Sequence, residues 1–78
     1  MLLDFPTDVD LAAKNISPFI RKTYFSYSTV FSNLLNTDVR FKMENLQVTG
    51  SFKARGAVNK LLSLTKNERQ KGVVSAST

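Results

Sequence analysis

The hydrophobic period of this chain changes abruptly at its centre. Val39, Phe41 and Met43 alternate with Arg40, Lys42 and Glu44, the two-residue repeat of a strand with one buried face. From Ser51 onward, Phe52, Ala57, Val58, Leu61 and Leu62 recur at helical spacing. Between the two runs stand Gly50, which permits a turn conformation other residues resist, and Ser51, a good N-cap. Val73–Val74–Ser75–Ala76 reads as another strand. Strand, helix and strand in this order predict a right-handed parallel βαβ unit and hence an α/β class.

The flanking signals are local. Thr7 is placed to cap a helix over Asp8–Asn15, with residues 1–6 extended before it and Pro18 blocking its continuation. Residues 19–27, aromatic and polar by turns, read as extended, and Ser28 caps a short helix through Leu35. Asn36–Thr37–Asp38 is turn-like. Gly56 inside the main helix costs about 1 kcal/mol against alanine and predicts close packing there. Thr65 and Glu68 match a capping box for a second short helix ending at Gly72. Ser77 and Thr78 are polar residues following the second strand.

A chain of 78 residues suits one small domain or part of a larger one, and a core of that size is marginal alone. It contains no cysteine and no histidine, which excludes disulfides and thiolate metal sites and removes the commonest metal ligand. The net charge is +5 and uneven: Asp4, Asp8 and Asp10 precede all 11 lysines and arginines. The bases are scattered, without the aromatic-flanked cluster or motif of a nucleic-acid binder. A solvated surface accounts for them, and a basic interaction module is the rival class. No apolar run reaches membrane-span length. The N-terminus lacks a basic segment followed by an apolar one, so no signal peptide is expected. Together these features point to the cytoplasm, with neither nucleic acid nor membrane as partner.

Lys53 stands in the first turn of the helix that follows Gly50. An amine can join an aldehyde cofactor only when neutral, and both burial and a helix N-terminus disfavour the ammonium. The plain alternative is a surface lysine with its stem along the helix. Phe52 beside it reads as core or as a ring-shielding face. Arg55 either pairs with Glu44 or stays solvated, and Asn45 and Gln47 read as ordinary loop residues.

The segment Lys42-x-Glu44-Asn45-Leu46-Gln47-x-Thr49-Gly50-Ser51-Phe52-Lys53-x-Arg55-Gly56-Ala57-x-Asn59, followed by Lys71-Gly72-Val73-Val74-x-Ala76-Ser77-Thr78, resembles the fold-type-II pyridoxal-phosphate enzymes of the tryptophan-synthase β-chain type. Within them it is most similar to serine/threonine dehydratases (threonine ammonia-lyases) and serine racemases. The resemblance is clearest over residues 39–78. Before that it is looser, and Tyr24–Phe25 stand where the family usually has Pro-Leu after the threonine corresponding to Thr23. The resemblance implies an incomplete catalytic domain over residues 1–78: N-terminal helices preceding part of a three-layer open parallel sheet. It implies pyridoxal 5'-phosphate as cofactor, carried covalently by Lys53 with Phe52 packed near the ring. Ser77 and Thr78 open the segment that binds the substrate carboxylate. The implied activity is dehydration and deamination of L-threonine- or L-serine-type β-hydroxy amino acids to 2-oxo acids and ammonia. A racemase-like isomerase is the alternative within the family, and a non-catalytic remnant the alternative outside it. A full-length relative is expected to be a homo-oligomer. The family's Gly-Asn-His after Thr78 and its glycine-rich phosphate loop do not occur in this sequence. The chain is therefore expected to be an N-terminal fragment and inactive by itself.

Overall fold

The computed structural model describes residues 4–76. Helix α1 runs Phe5–Ile16. Its cap is Asp4, whose Oδ1 accepts a hydrogen bond from Thr7 N at 3.3 Å, so the helix starts before the expected Thr7 cap. Pro6 is tolerated because first-turn N–H groups have no helical partner to lose. Asp4 and Thr7 are both competent caps, and the one that leaves proline inside the first turn prevails.

Strand β1 spans Phe25–Tyr27, helix α2 Thr29–Leu35 and strand β2 Arg40–Lys42. Ser28 caps α2 as its residue type predicts, its Oγ accepting from Phe31 N at 3.1 Å. Asn36 closes α2 in the left-handed conformation at φ 52°, which asparagine tolerates well. The chain then returns beside β1. The two strands pair antiparallel in the register Phe25↔Lys42, Ser26↔Phe41, Tyr27↔Arg40. Ser28 N→Val39 O at 2.9 Å and Met43 N→Tyr24 O at 3.0 Å extend the ladder at both ends.

This corrects the parallel βαβ expectation. The neighbour of β2 is β1, and the sheet of the described residues is two-stranded and antiparallel. The connection through α2 is short enough for an antiparallel return, whereas residues 73–76 form no strand and Val74 is 100% exposed. The alternating pattern of residues 39–44 nevertheless has physical meaning. Phe41 meets Phe31 of α2 edge to face, with ring centroids 5.6 Å apart. On the opposite face Arg40 lies over the Tyr27 ring at 5.7 Å and Lys42 over Phe25 at 5.0 Å. These cation–π pairs cross the strands at directly opposed positions.

A 3-10 turn over Glu44–Leu46 leads to helix α3, Lys53–Ser63. Thr65 and Glu68 form the expected capping box of helix α4, Lys66–Gln70, and Gly72 takes a positive φ of 81° just beyond it. Helix α3 packs against α1 rather than chiefly onto the sheet. Leu62 is half-buried while Leu61 is exposed. The buried apolar side chains are Ile16, at the end of α1, and Ala54, at the start of α3, 5% and 4% exposed. The expected close packing at Gly56 is not formed: a Cβ there would meet nothing within 4 Å.

The accessible surface is 6859 Å², against roughly 4,700 Å² for a compact monomer of this mass. The radius of gyration is 16.6 Å, where a compact domain of this length has about 11–12 Å. Long-range polar ties therefore matter more here than in a well-filled core.

One such tie is Ser32, buried in α2. Its Oγ accepts from Val39 N at 2.9 Å, joining α2 to the start of β2. Ser32→Ala would leave that N–H without its acceptor and should destabilise the fold by about 1–3 kcal/mol. A lowered thermal or urea midpoint relative to wild type is the expected measurement, and an unchanged midpoint would show that the tie adds nothing.

Candidate functional site

The approach to α3 is a tight turn closed by Gly50 N→Gln47 O at 2.8 Å. Gly50 has φ 77°, a conformation that strains any L side chain, and a Cβ there would have nothing within 4 Å. The turn thus needs glycine for its backbone and leaves open space in front of the helix. Ser51 Oγ accepts from Lys53 N at 3.2 Å. The helical cap position itself is Phe52, without a side-chain cap. Lys53 is consequently the first residue of α3, one position nearer its start than a Ser51 cap implies.

Lys53 is exposed, and Phe52 beside it is 67% exposed. The residue following them, Ala54, is one of the two buried apolar residues. The lysine backbone is therefore rooted at the α1–α3 contact while its amine belongs to the open side. An amine and an adjacent uncovered aromatic ring, fronted by the Gly50 turn, are a donor set suited to anchoring an aromatic aldehyde cofactor. Ser77 and Thr78 lie outside the described residues.

A set of polar ties brackets the lysine. Downstream, Arg55 Nε donates to Glu44 Oε1, settling its two possible fates in favour of pairing. Upstream, Gln47 is 3% exposed and is far from an ordinary loop residue. Its Nε2 donates to Arg21 O at 2.9 Å and to Glu44 Oε2 at 3.1 Å. Its Oε1 accepts from Arg21 N at 2.7 Å and from Val48 N at 3.1 Å. Arg21 Nη1 adds a bond to Leu46 O at 3.2 Å. Sequence reading misses Gln47 because its partners are main-chain groups distant in sequence, which leave no mark in residue type. The three-residue spacing from Glu44 is the only local cue.

A cleft of about 640 Å³ opens beside these ties, lined in part by Ser17, Arg21, Lys22, Lys42, Glu44 and Arg55. Lys53 is not on its wall. Lys42 donates to Thr23 O and Arg55 is held by Glu44, so much of the basic lining is engaged internally. Among the described residues, no group of histidine, cysteine, aspartate or glutamate side chains could hold a metal ion. Nor is any helix there long and apolar enough to cross a membrane.

Residues 16–78 match the family model of pyridoxal-phosphate dependent enzymes. The chain belongs to that family, whose cofactor is pyridoxal phosphate. It is similar to an L-threonine ammonia-lyase of Thermotoga maritima, 44% identical over 70 residues, covering 90% of this chain and 18% of the relative. It is equally similar to the catabolic L-threonine dehydratase TdcB of Staphylococcus aureus, 44% identical over 71 residues, covering 90% of this chain and 20% of the relative. The chain thus spans no more than 20% of the length of these curated relatives. No solved structure matches it.

The Arg55 hydrogen bond holds the Glu44 carboxyl below the ordinary glutamate range; Gln47 lowers it further and burial works in opposition. A carboxyl whose folded pKa is depressed stabilises the fold above its unfolded pKa, and this contribution is lost as pH falls through the folded value. Wild type should therefore be more stable than Glu44→Gln at neutral pH, and the gap should close as the solution is acidified below the ordinary glutamate range. Denaturation midpoints of both proteins across pH measure this. A gap independent of pH would remove the Glu44 charge as its source.

Proposed function

We propose that the chain supplies the cofactor-anchoring part of a pyridoxal-phosphate-dependent lyase that dehydrates and deaminates L-threonine- or L-serine-type amino acids to 2-oxo acids and ammonia. The observation that carries this reading is Lys53: a lysine opening α3 after a positive-φ glycine turn, in a chain belonging to a pyridoxal-phosphate enzyme family. The names of the relatives, a threonine ammonia-lyase and a threonine dehydratase, support the reaction and substrate class.

In this reading Lys53 Nζ holds the cofactor covalently. With its amine free, it would serve as the base for the substrate Cα proton. Phe52 offers an apolar face beside the cofactor ring. Ser77 and Thr78 receive the substrate carboxylate through hydroxyl and backbone donors. The cofactor, when bound, supplies the electron sink that makes loss of the Cα proton feasible. The β-hydroxyl leaves as water, and the resulting enamine, as its imine tautomer, adds water at C=N and releases ammonia to leave the 2-oxo acid. No glycine-rich loop that could cradle the cofactor phosphate occurs among the described residues.

Three outcomes test the reading. Incubation of the chain with pyridoxal phosphate, borohydride reduction and peptide mapping should place the largest share of label on Lys53; a label centred on Lys42 or Lys60 would overturn the assignment. Lys53→Ala should lose that label with little change in circular dichroism, because an exposed side chain is removed. The 78-residue polypeptide taken alone, supplied with cofactor and L-threonine or L-serine, should release 2-oxo acid no faster than cofactor with free lysine. Positioning contributes a large part of enzymatic rate, and an anchor alone does not provide it. Turnover well above that background would mean that these residues assemble a working site.

A further inference from the structure

Gln47 combines features that seldom meet in a loop. It is 3% exposed although Leu46, Val48 and Thr49 around it are exposed. A primary amide offers two donors and an acceptor oxygen with two lone pairs. All of that capacity is engaged: Nε2 toward Arg21 O and Glu44 Oε2, Oε1 toward Arg21 N and Val48 N. Toward Arg21 the amide behaves as another strand's peptide group would, donating to the carbonyl and accepting from the N–H of the same residue. A buried polar group so completely satisfied fixes geometry, because displacement in any direction leaves a buried partner unpaired.

The ties converge on the two sides of Lys53. On the upstream side, Gln47 holds Val48 N, its carbonyl closes the turn at Gly50 N, and Ser51 Oγ receives Lys53 N. On the downstream side, Gln47 holds one oxygen of Glu44 while the other receives Arg55 Nε, two residues beyond the lysine. We propose that Gln47 is a positioning residue for Lys53: its side-chain amide locks the 44–50 segment to the backbone at Arg21 and so fixes the point from which α3 presents the amine. This rests on the reading of Lys53 as the cofactor anchor. The Gln47 side chain makes its hydrogen bonds to Arg21, Glu44 and Val48 and none to Lys53. Its effect is on how selectively that amine is presented.

Two substitutions separate positioning from bulk stability. Gln47→Leu keeps similar volume and removes every hydrogen bond of the amide. Gln47→Glu is reversible with pH. As a carboxylate it can only accept, so it faces the Arg21 carbonyl and the Glu44 carboxylate with like polarity. As a carboxylic acid it again donates to Arg21 O and accepts from Arg21 N, losing only the bond to Glu44. Burial and the neighbouring Glu44 charge both raise the pKa of the introduced carboxyl, whereas Arg55 keeps that of Glu44 low. The positive groups nearby are Arg21, whose guanidinium is directed to Leu46 O, Arg55, paired with Glu44, and Lys42, which also acts on Glu44 and lies on the same cleft. The introduced carboxyl is therefore expected to take up its proton at a higher pH than Glu44, leaving the Glu44–Arg55 pair intact as acidification begins.

The experiment uses the full chain. Pyridoxal phosphate is trapped with borohydride, and the share of label on Lys53 relative to Lys14 and Lys66 is measured from mildly alkaline to mildly acidic pH. Amide hydrogen exchange at residues 53–57 is followed without cofactor. In wild type Lys53 should take the largest share. In Gln47→Leu its share should fall several-fold, toward that of the surface lysines, with faster exchange at 53–57. In Gln47→Glu the share should be low at mildly alkaline pH and return toward wild type on acidification. A wild-type share and wild-type exchange in Gln47→Leu would overturn the inference. Should that variant fail to fold, a Gln47→Glu share unmoved by pH would overturn it equally. Absence of any preference for Lys53 in wild type would defeat the anchor reading itself, and the positioning role with it.

Discussion

The amide of Gln47 is inserted between stretches of backbone 26 residues apart, and much of the arrangement around α3 follows from that insertion. It brings the segment after α1 against the segment before α3, the same two helices that pack together and carry the buried Ile16 and Ala54. Apolar burial here is slight, so it cannot choose among neighbouring placements of the 3-10 turn by itself. Directional bonds to a main-chain N–H and C=O can, because they fail within a fraction of an ångström or a modest rotation. The Glu44–Arg55 pair extends the same frame across the turn to the first turn of α3.

What the sequence revealed was what is decided locally. The Ser28 cap, the Thr65–Glu68 box and the positive-φ glycines at 50 and 72 are set by residues within a few positions of each other. Local rules also misplaced two helix starts, at Asp4 and at Lys53, where adjacent residues compete as caps and the winner depends on the whole first turn. Strand pairing was not legible. The short β1 carries Phe25 and Tyr27 facing the cations of β2 rather than an apolar partner face, so the alternation at residues 39–44 revealed a strand without revealing its neighbour. At the candidate site the glycine turn that leads into α3 was readable from turn chemistry. The buried amide supporting the turn was not, since main-chain partners have no residue-type signature.

The open form of the chain bears on its energetics. With 6859 Å² accessible, residues such as Val30, Leu34 and Leu35 on α2 remain substantially uncovered. Apolar surface on this scale is normally covered in a stable protein. Cross-strand cation–π pairs and caps can hold local geometry, but each contributes about 1 kcal/mol or less at exposed sites. The region around Lys53 is therefore ordered locally by polar bonds rather than by a filled apolar core.

Gln47 addresses residue 21 only through its peptide groups. The side chain at position 21 is thus nearly free of the tie: residues of quite different size and charge present the same N–H and C=O, and proline alone lacks the donor. The partner position has no such freedom, since a reach of two methylenes ending in a neutral amide is what spans the gap. Mutational tolerance across this contact is accordingly one-sided: replacing Arg21 costs its own side-chain bond to Leu46 O but leaves the Gln47 tie to the backbone in place.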